Sequence, residues 1–226
     1  MNLPNNKYDA LKVLIDEPKK HKEKECRAFI SGALDLFVPF TGVTTVLGDE
    51  DEYPGHSGPN DLIVFCERSC GGVVEKYAYI WEVKSPQTAI FVKDTKNRVK
   101  PSPEFMKAEN QLLHYWEDCK TEQFRAKFEI THLDHILPGG ILIGKSNTLV
   151  SSGYKDDKKK QLYKTAINLR KKWFYNQAGI QVLIWNDILD FINAPITITE
   201  EKPVDIGVLA ISGAGQAGVI ISDQGI

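Results

Sequence analysis

Several things are scarce in this chain of 226 residues. No stretch approaches the roughly 20 continuous apolar residues that cross a bilayer, so no membrane partner is expected. The first residues, Met1-Asn2-Leu3-Pro4-Asn5-Asn6-Lys7, hold no apolar signal core, and secretion by that route is not expected. Cysteine is sparse: Cys26, Cys66, Cys70 and Cys119 make no small disulfide framework and read as reduced thiols of a cytoplasmic protein. Excess charge of either sign is also missing. With 28 basic and 30 acidic residues the net charge is −2. That excludes a uniformly basic coat for nucleic acid, so any such contact must come from a local patch. What is present, 42% hydrophobic and 26% charged residues, suits a folded domain with a core rather than a disordered chain. The length fits one domain, or one with an appendage.

Hydrophobic spacing predicts the elements. Leu11, Val13, Leu14 and Ile15 mark a short helix closed by Pro18. Cys26, Phe29, Ile30, Ala33, Leu34 and Phe37 recur at steps of three and four, which predicts a helix over 19–37. Residues 38–47 read as a strand. Residues 48–60, rich in turn formers and acids, read as an exposed loop. Strands follow at 61–66 and 76–84, with hairpin chemistry in Ser69-Cys70-Gly71-Gly72. A polar stretch, 85–103, leads to a helix over 104–119 that starts just after Pro103, with apolar positions Phe105, Ala108, Leu112, Leu113 and Trp116. Residues 121–138 are ambiguous. Ile141-Leu142-Ile143 after Gly139-Gly140 predicts a short buried strand, 156–177 a long basic helix, and 179–185 a strand. Asn186-Asp187 would cap a last helix through Phe191. From about Pro195 helical spacing stops. Two strands at 207–212 and 218–222 predict a hairpin, serving as an extra sheet edge or as an oligomer contact by strand addition. The expectation is an α/β fold with a central mixed sheet flanked by helices over 1–195, and a C-terminal β-hairpin appendage or oligomerisation tail over 196–226.

The best chemical signal is Asn60-Asp61 at the start of one strand and Glu82-Val83-Lys84 at the end of its partner. Alternation puts Glu82 and Lys84 on one side and Val83 on the other. Charges ending the apolar run Tyr79-Ile80-Trp81 are out of character, because a buried ion costs several kcal/mol unless paired or metal-bound. The hairpin can bring Asp61 beside Glu82. Two carboxylates at that spacing suit a hard divalent cation such as Mg²⁺. A nearby lysine can orient or deprotonate a water, or stabilise a pentavalent phosphate, so the parts match metal-assisted phosphodiester hydrolysis. The plain alternative is a structural salt bridge from Glu82 to Lys84 or Lys76.

Asp61 with Glu82-Val83-Lys84 about twenty residues later resembles the PD-(D/E)XK nuclease superfamily, although the Pro-Asp pair is spread as Pro59-Asn60-Asp61. Glu23-x-x-Cys26-x-x-Phe29-Ile30 resembles its helical glutamate, and Ala108-x-x-Gln111-x-x-x-Tyr115 its glutamine helix. Residues 140–145 and 180–189 are similar to the closing part of the Shedu-type nuclease domain, with Lys145 where that branch often has arginine and Ile184-Trp185-Asn186 where it has threonine-tyrosine-aspartate. The resemblance covers about 20–192. It implies a restriction-endonuclease-like core and a DNA-cutting, homo-oligomeric protein of bacterial anti-phage defence. It further implies Mg²⁺ (or Mn²⁺) held by Asp61, Glu82 and the Val83 carbonyl. Lys84 would handle the attacking water, Glu23 a second ion or a metal-bound water, and Gln111 would position Lys84 or a phosphate oxygen. Glu25 competes with Glu23, which lies nearer the centre of the apolar stripe. A nuclease-like binding or assembly module and an RNA-directed nuclease are the alternatives.

Residues 155–172 hold eight basic residues against Asp156 and Asp157, with Tyr163 and Trp173 interleaved or adjacent; this is either a phosphate-neutralising face or a solvated helix face. The stretch 93–100 is the better DNA-contact candidate, since it follows the proposed active strand. A zinc site from Cys66, Cys70, His132 and His135 is set aside on spacing. His56 reads as a surface residue.

Overall fold

The computed structural model describes residues 5–18, 23–38, 43–95, 98–151 and 154–194. The first helix, Asn5–Asp16 (α1), buries Leu11 and Ile15, four residues apart, and exposes Val13. The helix predicted over 19–37 is broken. Among its described residues Glu23–Arg27 (α2) is helical and two 3₁₀ turns follow, at Ile30–Gly32 and Leu34–Phe37. The apolar spacing is still used, since Cys26, Ile30, Ala33 and Phe37 are all buried. Steps of three and four serve tight 3₁₀ turns as well as α-helix, and Ala33, at φ −139° and ψ 24°, parts the two turns.

Val43–Glu50 (β1) runs into the stretch expected as loop, where Pro54–Gly55 (β2) and Gly58–Pro59 (β3) add a small antiparallel ladder. Leu62–Cys70 (β4) and Val73–Val83 (β5) form the expected hairpin, longer than the alternation indicates. Its turn residues Gly71 and Gly72 have φ of 59° and 82°, the two positive values that a tight twisted hairpin turn needs. Phe91–Thr95 (β6) and Arg98–Pro101 (β7) form a second hairpin inside the polar stretch, anchored by buried Phe91. Pro103–Asp118 (α3) opens at Pro103 itself, and its N-cap Ser102 accepts from the Phe105 N–H at 3.0 Å.

Glu122–Phe128 (α4) and Ile136–Leu142 (β8) occupy the ambiguous stretch. Gly139 and Gly140 lie within β8 rather than before it, because a Cβ on either would strike the Trp81 ring. Asp156–Arg170 (α5) continues through a π turn, Lys171–Tyr175, into Asn176–Ala178 (α6). Gln181–Leu183 (β9) and Trp185–Asn193 (α7) complete the described chain. Trp185 opens the last helix instead of ending a strand, and Asp187 in its first turn accepts from the Ile184 N–H at 2.8 Å.

The five-stranded sheet has the order β1-β4-β5-β8-β9, antiparallel at β1–β4 and β4–β5 and parallel at β5–β8 and β8–β9. Alternation along the hairpin divides the core. One face buries Ile63, Phe65, Ala78 and Ile80 with Phe105, Leu112 and Phe124 of α3 and α4. The other buries Leu62, Val64, Trp81 and Val83 with Leu11, Phe37 and Ile188. The fold is thus mixed α/β with a central mixed sheet flanked by helices. The hairpin expected over 196–226 lies outside the described residues.

Candidate active site

The β4–β5 register pairs Leu62 with Trp81 and Ile63 with Ile80. One step further, Asp61 comes opposite Glu82. Opposed residues of an antiparallel pair share a face, and so do Glu82 and Lys84. This is the α3 face of the sheet, whose apolar interior gives way here to charge. The Val83 N–H donates to Asp61 Oδ2 at 3.0 Å and fixes that carboxylate against β5. Lys84 is held through its own backbone: its N–H donates to the Leu142 carbonyl at 2.8 Å, and its carbonyl accepts from the Trp185 indole at 2.8 Å.

Glu82 is 0% exposed and Lys84 7%. The two form an ion pair, with Lys84 Nζ in contact with Glu82 Oε1. Burial, and then the neighbouring Asp61 carboxylate, push the Glu82 pKa up to about 8 against the pull of Lys84. For Lys84, burial works against the charged amine, but Glu82 foremost, then Glu23 and Asp61, carry its pKa above the ordinary lysine value. Glu23, at the start of α2, places Oε1 3.7 Å from Lys84 Nζ, while Glu25 is exposed. Of the two competing helical acids, Glu23 is the one brought to the lysine.

Helix α3 supplies Gln111 and Tyr115. Gln111 Nε2 donates to the Tyr115 hydroxyl at 3.0 Å, and its buried Oε1 has no hydrogen-bond partner. The recorded contact of Gln111 is therefore with Tyr115 rather than with Lys84. Tyr115 is buried, and its pKa is raised by that burial and next by Glu82, which places the phenol beside the acids. The four-residue step from Gln111 to Tyr115, one helical turn, is the sequence signal for this partner.

Sequence reasoning missed one further residue, Arg27, and put Asn60 in an exposed loop. Arg27, buried on α2, donates to the Asp61 carbonyl and, at 3.0 Å, to Glu52 Oε1. Glu52 takes a left-handed φ of 54°, uncommon outside glycine, as it meets this guanidinium. A charge directly after Cys26, in a short helix that buries both, is the only signal Arg27 leaves. Asn60 is fully buried rather than loop-exposed: its N–H donates to the Tyr53 carbonyl at 2.9 Å and its amide approaches Cys119 Sγ at 3.4 Å. His56 is exposed, as expected.

Among the described residues, no group of three or more His, Cys, Asp or Glu side chains is placed to hold a metal. The donors here are two carboxylates and main-chain oxygen. Glu82 is fully buried beside Asp61, with Lys84 as its cationic partner. An all-oxygen, doubly acidic set of this kind fits a hard divalent cation and not one that selects thiolate or imidazole. The contact recorded for Val83 is through its N–H; its carbonyl is the proposed third donor. The residues set aside for zinc stay apart from this site: Cys66 is buried in β4, and His132 and His135 approach Glu75 at 3.9 and 3.6 Å.

The two basic stretches are neighbours. Phe91 of β6 meets Tyr163 of α5 edge-on at 5.9 Å, and Arg98 lines a cleft together with Leu162, Leu169 and Arg170. No family model matches this chain, and no curated protein matches it.

Proposed function

We propose that the chain is a metal-dependent endonuclease that hydrolyses phosphodiester bonds of DNA on a restriction-endonuclease-like core. The observation that carries the reading is Glu82: a fully buried carboxylate opposite a second one, Asp61, and paired with the buried Lys84 on the same face. Two acids sharing one buried lysine leave negative charge that a bound cation would offset, and such perturbed groups cluster at functional sites. Asp61, Glu82 and the Val83 carbonyl would hold Mg²⁺ or Mn²⁺. A divalent ion there would supply Lewis acidity and positive charge towards a phosphate. The protein's own groups do the rest. The Val83 N–H and Arg27 hold Asp61 by side chain and main chain. Lys84, its pKa raised by Glu82 and Glu23 against burial, stays an ammonium at neutral pH. It is therefore suited to stabilise the phosphate's developing charge rather than to take a proton. Glu23, 3.7 Å from that amine and partly open to solvent, is the carboxylate placed to accept the proton of the attacking water. Gln111 donates to the Tyr115 hydroxyl, whose pKa is raised by burial and then by Glu82.

The resemblance to Shedu-type domains extends the proposal to a homo-oligomeric, cytoplasmic protein of anti-phage defence. One observation favours a second reading: Glu82 and Lys84 contact each other directly, as a purely structural ion pair does. That pair would belong to a nuclease-fold assembly module. Plasmid cleavage separates the two. Purified protein with Mg²⁺ or Mn²⁺ should nick or linearise DNA, and EDTA or Lys84→Ala should stop it. Failure to cut supercoiled, linear or single-stranded DNA would overturn the DNA reading, and cutting of RNA alone would move the same chemistry to RNA.

A further inference from the structure

We infer that the cleft walled by Trp173 and Phe174 is a stacking site for unpaired nucleobases. The inference deepens the nuclease reading and takes from it only that the ligand is a nucleic acid. Both rings stand on the π turn, 58% and 64% exposed, in a protein whose Trp81 and Trp185 are fully buried. A π turn inserted in an α-helix often marks a functional place. Here the next residue, Tyr175, is buried, and its hydroxyl is tied to Glu109 and lies 3.1 Å from Arg170 Nε. Arg170 grips Glu109 with its terminal nitrogen at 2.8 Å to each oxygen. The floor under the two rings is thus anchored, and its one acid is neutralised. Two clefts, of about 570 Å³ and about 360 Å³, share Arg170, Trp173 and Phe174 as walls. Leu113 adds to the first, and Arg98 and Leu169 to the second.

Exposed aromatic surface of this kind marks a place where something binds. Charge decides what. No acid occurs between Asp157 and Asp187, while Lys164, Lys171 and Lys172 on that stretch are exposed. Lys172 Nζ sits 4.8 Å from the centre of the Trp173 ring. Protein–protein interface cores are depleted in lysine. Aromatic faces set among cations are instead the composition that stacks bases and neutralises phosphates. A base inside a duplex has its faces covered by its neighbours, so the surface selects unpaired ends, loops or single strands.

The test is fluorescence anisotropy in EDTA, where no cleavage occurs, with the whole protein. The probes are a labelled single-stranded oligothymidine and a blunt duplex of equal length. Trp173→Ala combined with Phe174→Ala should weaken single-strand binding by roughly 5- to 150-fold and duplex binding by less than about 3-fold. Trp173→Phe should keep most of the affinity, and the oligonucleotide should quench wild-type tryptophan emission but not that of Trp173→Phe. Equal loss on both probes, or no loss, would overturn the inference in favour of plain charge attraction. A changed mass of the double variant in light scattering would overturn it in favour of a contact between copies. Because binding is read without metal, a chain that never cuts but binds single strands through these rings would sink the nuclease reading and leave this one standing.

Discussion

Two regions break the ordinary arrangement of a globule in opposite directions. At the end of β5, charge is buried: Glu82 and Lys84 sit inside, with the Lys84 backbone tied to the Leu142 carbonyl and the Trp185 indole and with Asp61 held by the Val83 N–H. On the π turn, aromatic surface is exposed: Trp173 and Phe174 stand out, beside a lysine. The first region draws free energy from the fold to keep ions dry. The second gives up burial that an aromatic side chain would normally contribute. On the proposed reading each departure serves a ligand, an ion and phosphate in one case and a base in the other. The first is built from rigid strands and the second from a helix irregularity, which matches the precision each task demands.

The comparison can be broken most forcefully at the buried charges. Lys84→Ala should lower cleavage by about 10²- to 10³-fold while circular dichroism and the unfolding transition stay those of a folded protein. A variant that cuts at the wild-type rate would refute the active-site assignment. The next largest effects concern the scaffold. Trp81, fully buried, donates to the Phe37 carbonyl at 2.9 Å and meets the Phe37 ring edge-on at 4.8 Å. Trp81→Ala should cost about 3–5 kcal/mol in urea unfolding. Gly140→Ala, which drives a methyl into that ring and the Gln181 carbonyl, should cost about 1–3 kcal/mol or more. A neutral result at both would deny that this packing sets the strand ends.

A finer test uses pH. Glu82 titrates at about 8 in the folded protein against an ordinary 4.5, so the unfolded chain releases this proton first. Its contribution to stability is whole below about pH 4.5 and lost as pH rises towards 8. Added Mg²⁺ should offset that loss, raising the melting temperature more at pH 8 than at pH 5, where protons compete for the carboxylates. Equal shifts at both values, or none, would separate Glu82 from any metal. The smallest effect lies at the exposed region: Trp173→Ala should change stability by no more than about 0.5 kcal/mol. A large loss would mean that the ring packs structurally and is not held ready for a ligand.

Much of the buried site was legible because strand geometry is periodic. Alternation placed Glu82 with Lys84, and the glycine pair at 71–72 set the hairpin that faces Asp61 with Glu82. The wheel argument chose Glu23 over Glu25 even though the long helix it assumed is a short helix followed by 3₁₀ turns, since both geometries reuse steps of three and four. What escaped depends on distant partners. Arg27 matters through the Asp61 carbonyl, 34 residues on, and Tyr115 through acids on another element. Gly139 and Gly140 look like a turn until the Trp81 ring is laid across them. The β6–β7 hairpin hid in a polar stretch because mainly Ile90 and Phe91 tie it to the core. The π turn has no local signature in side-chain spacing.

The slot between Trp81 and the two glycines has a consequence for how this chain can drift over generations. A lineage that keeps tryptophan at 81 is confined to glycine at 139 and 140, and a lineage that loses the tryptophan is released at 139, while the Gln181 carbonyl still confines 140. Positions 81 and 139 therefore form one heritable unit, and a smaller residue at 81 should act as a genetic suppressor of Gly139→Ala. Trp81 faces away from the acids, but it precedes Glu82 in the strand. Compensation at this hidden joint would thus be among the changes that tune the depth of the carboxylate without touching it.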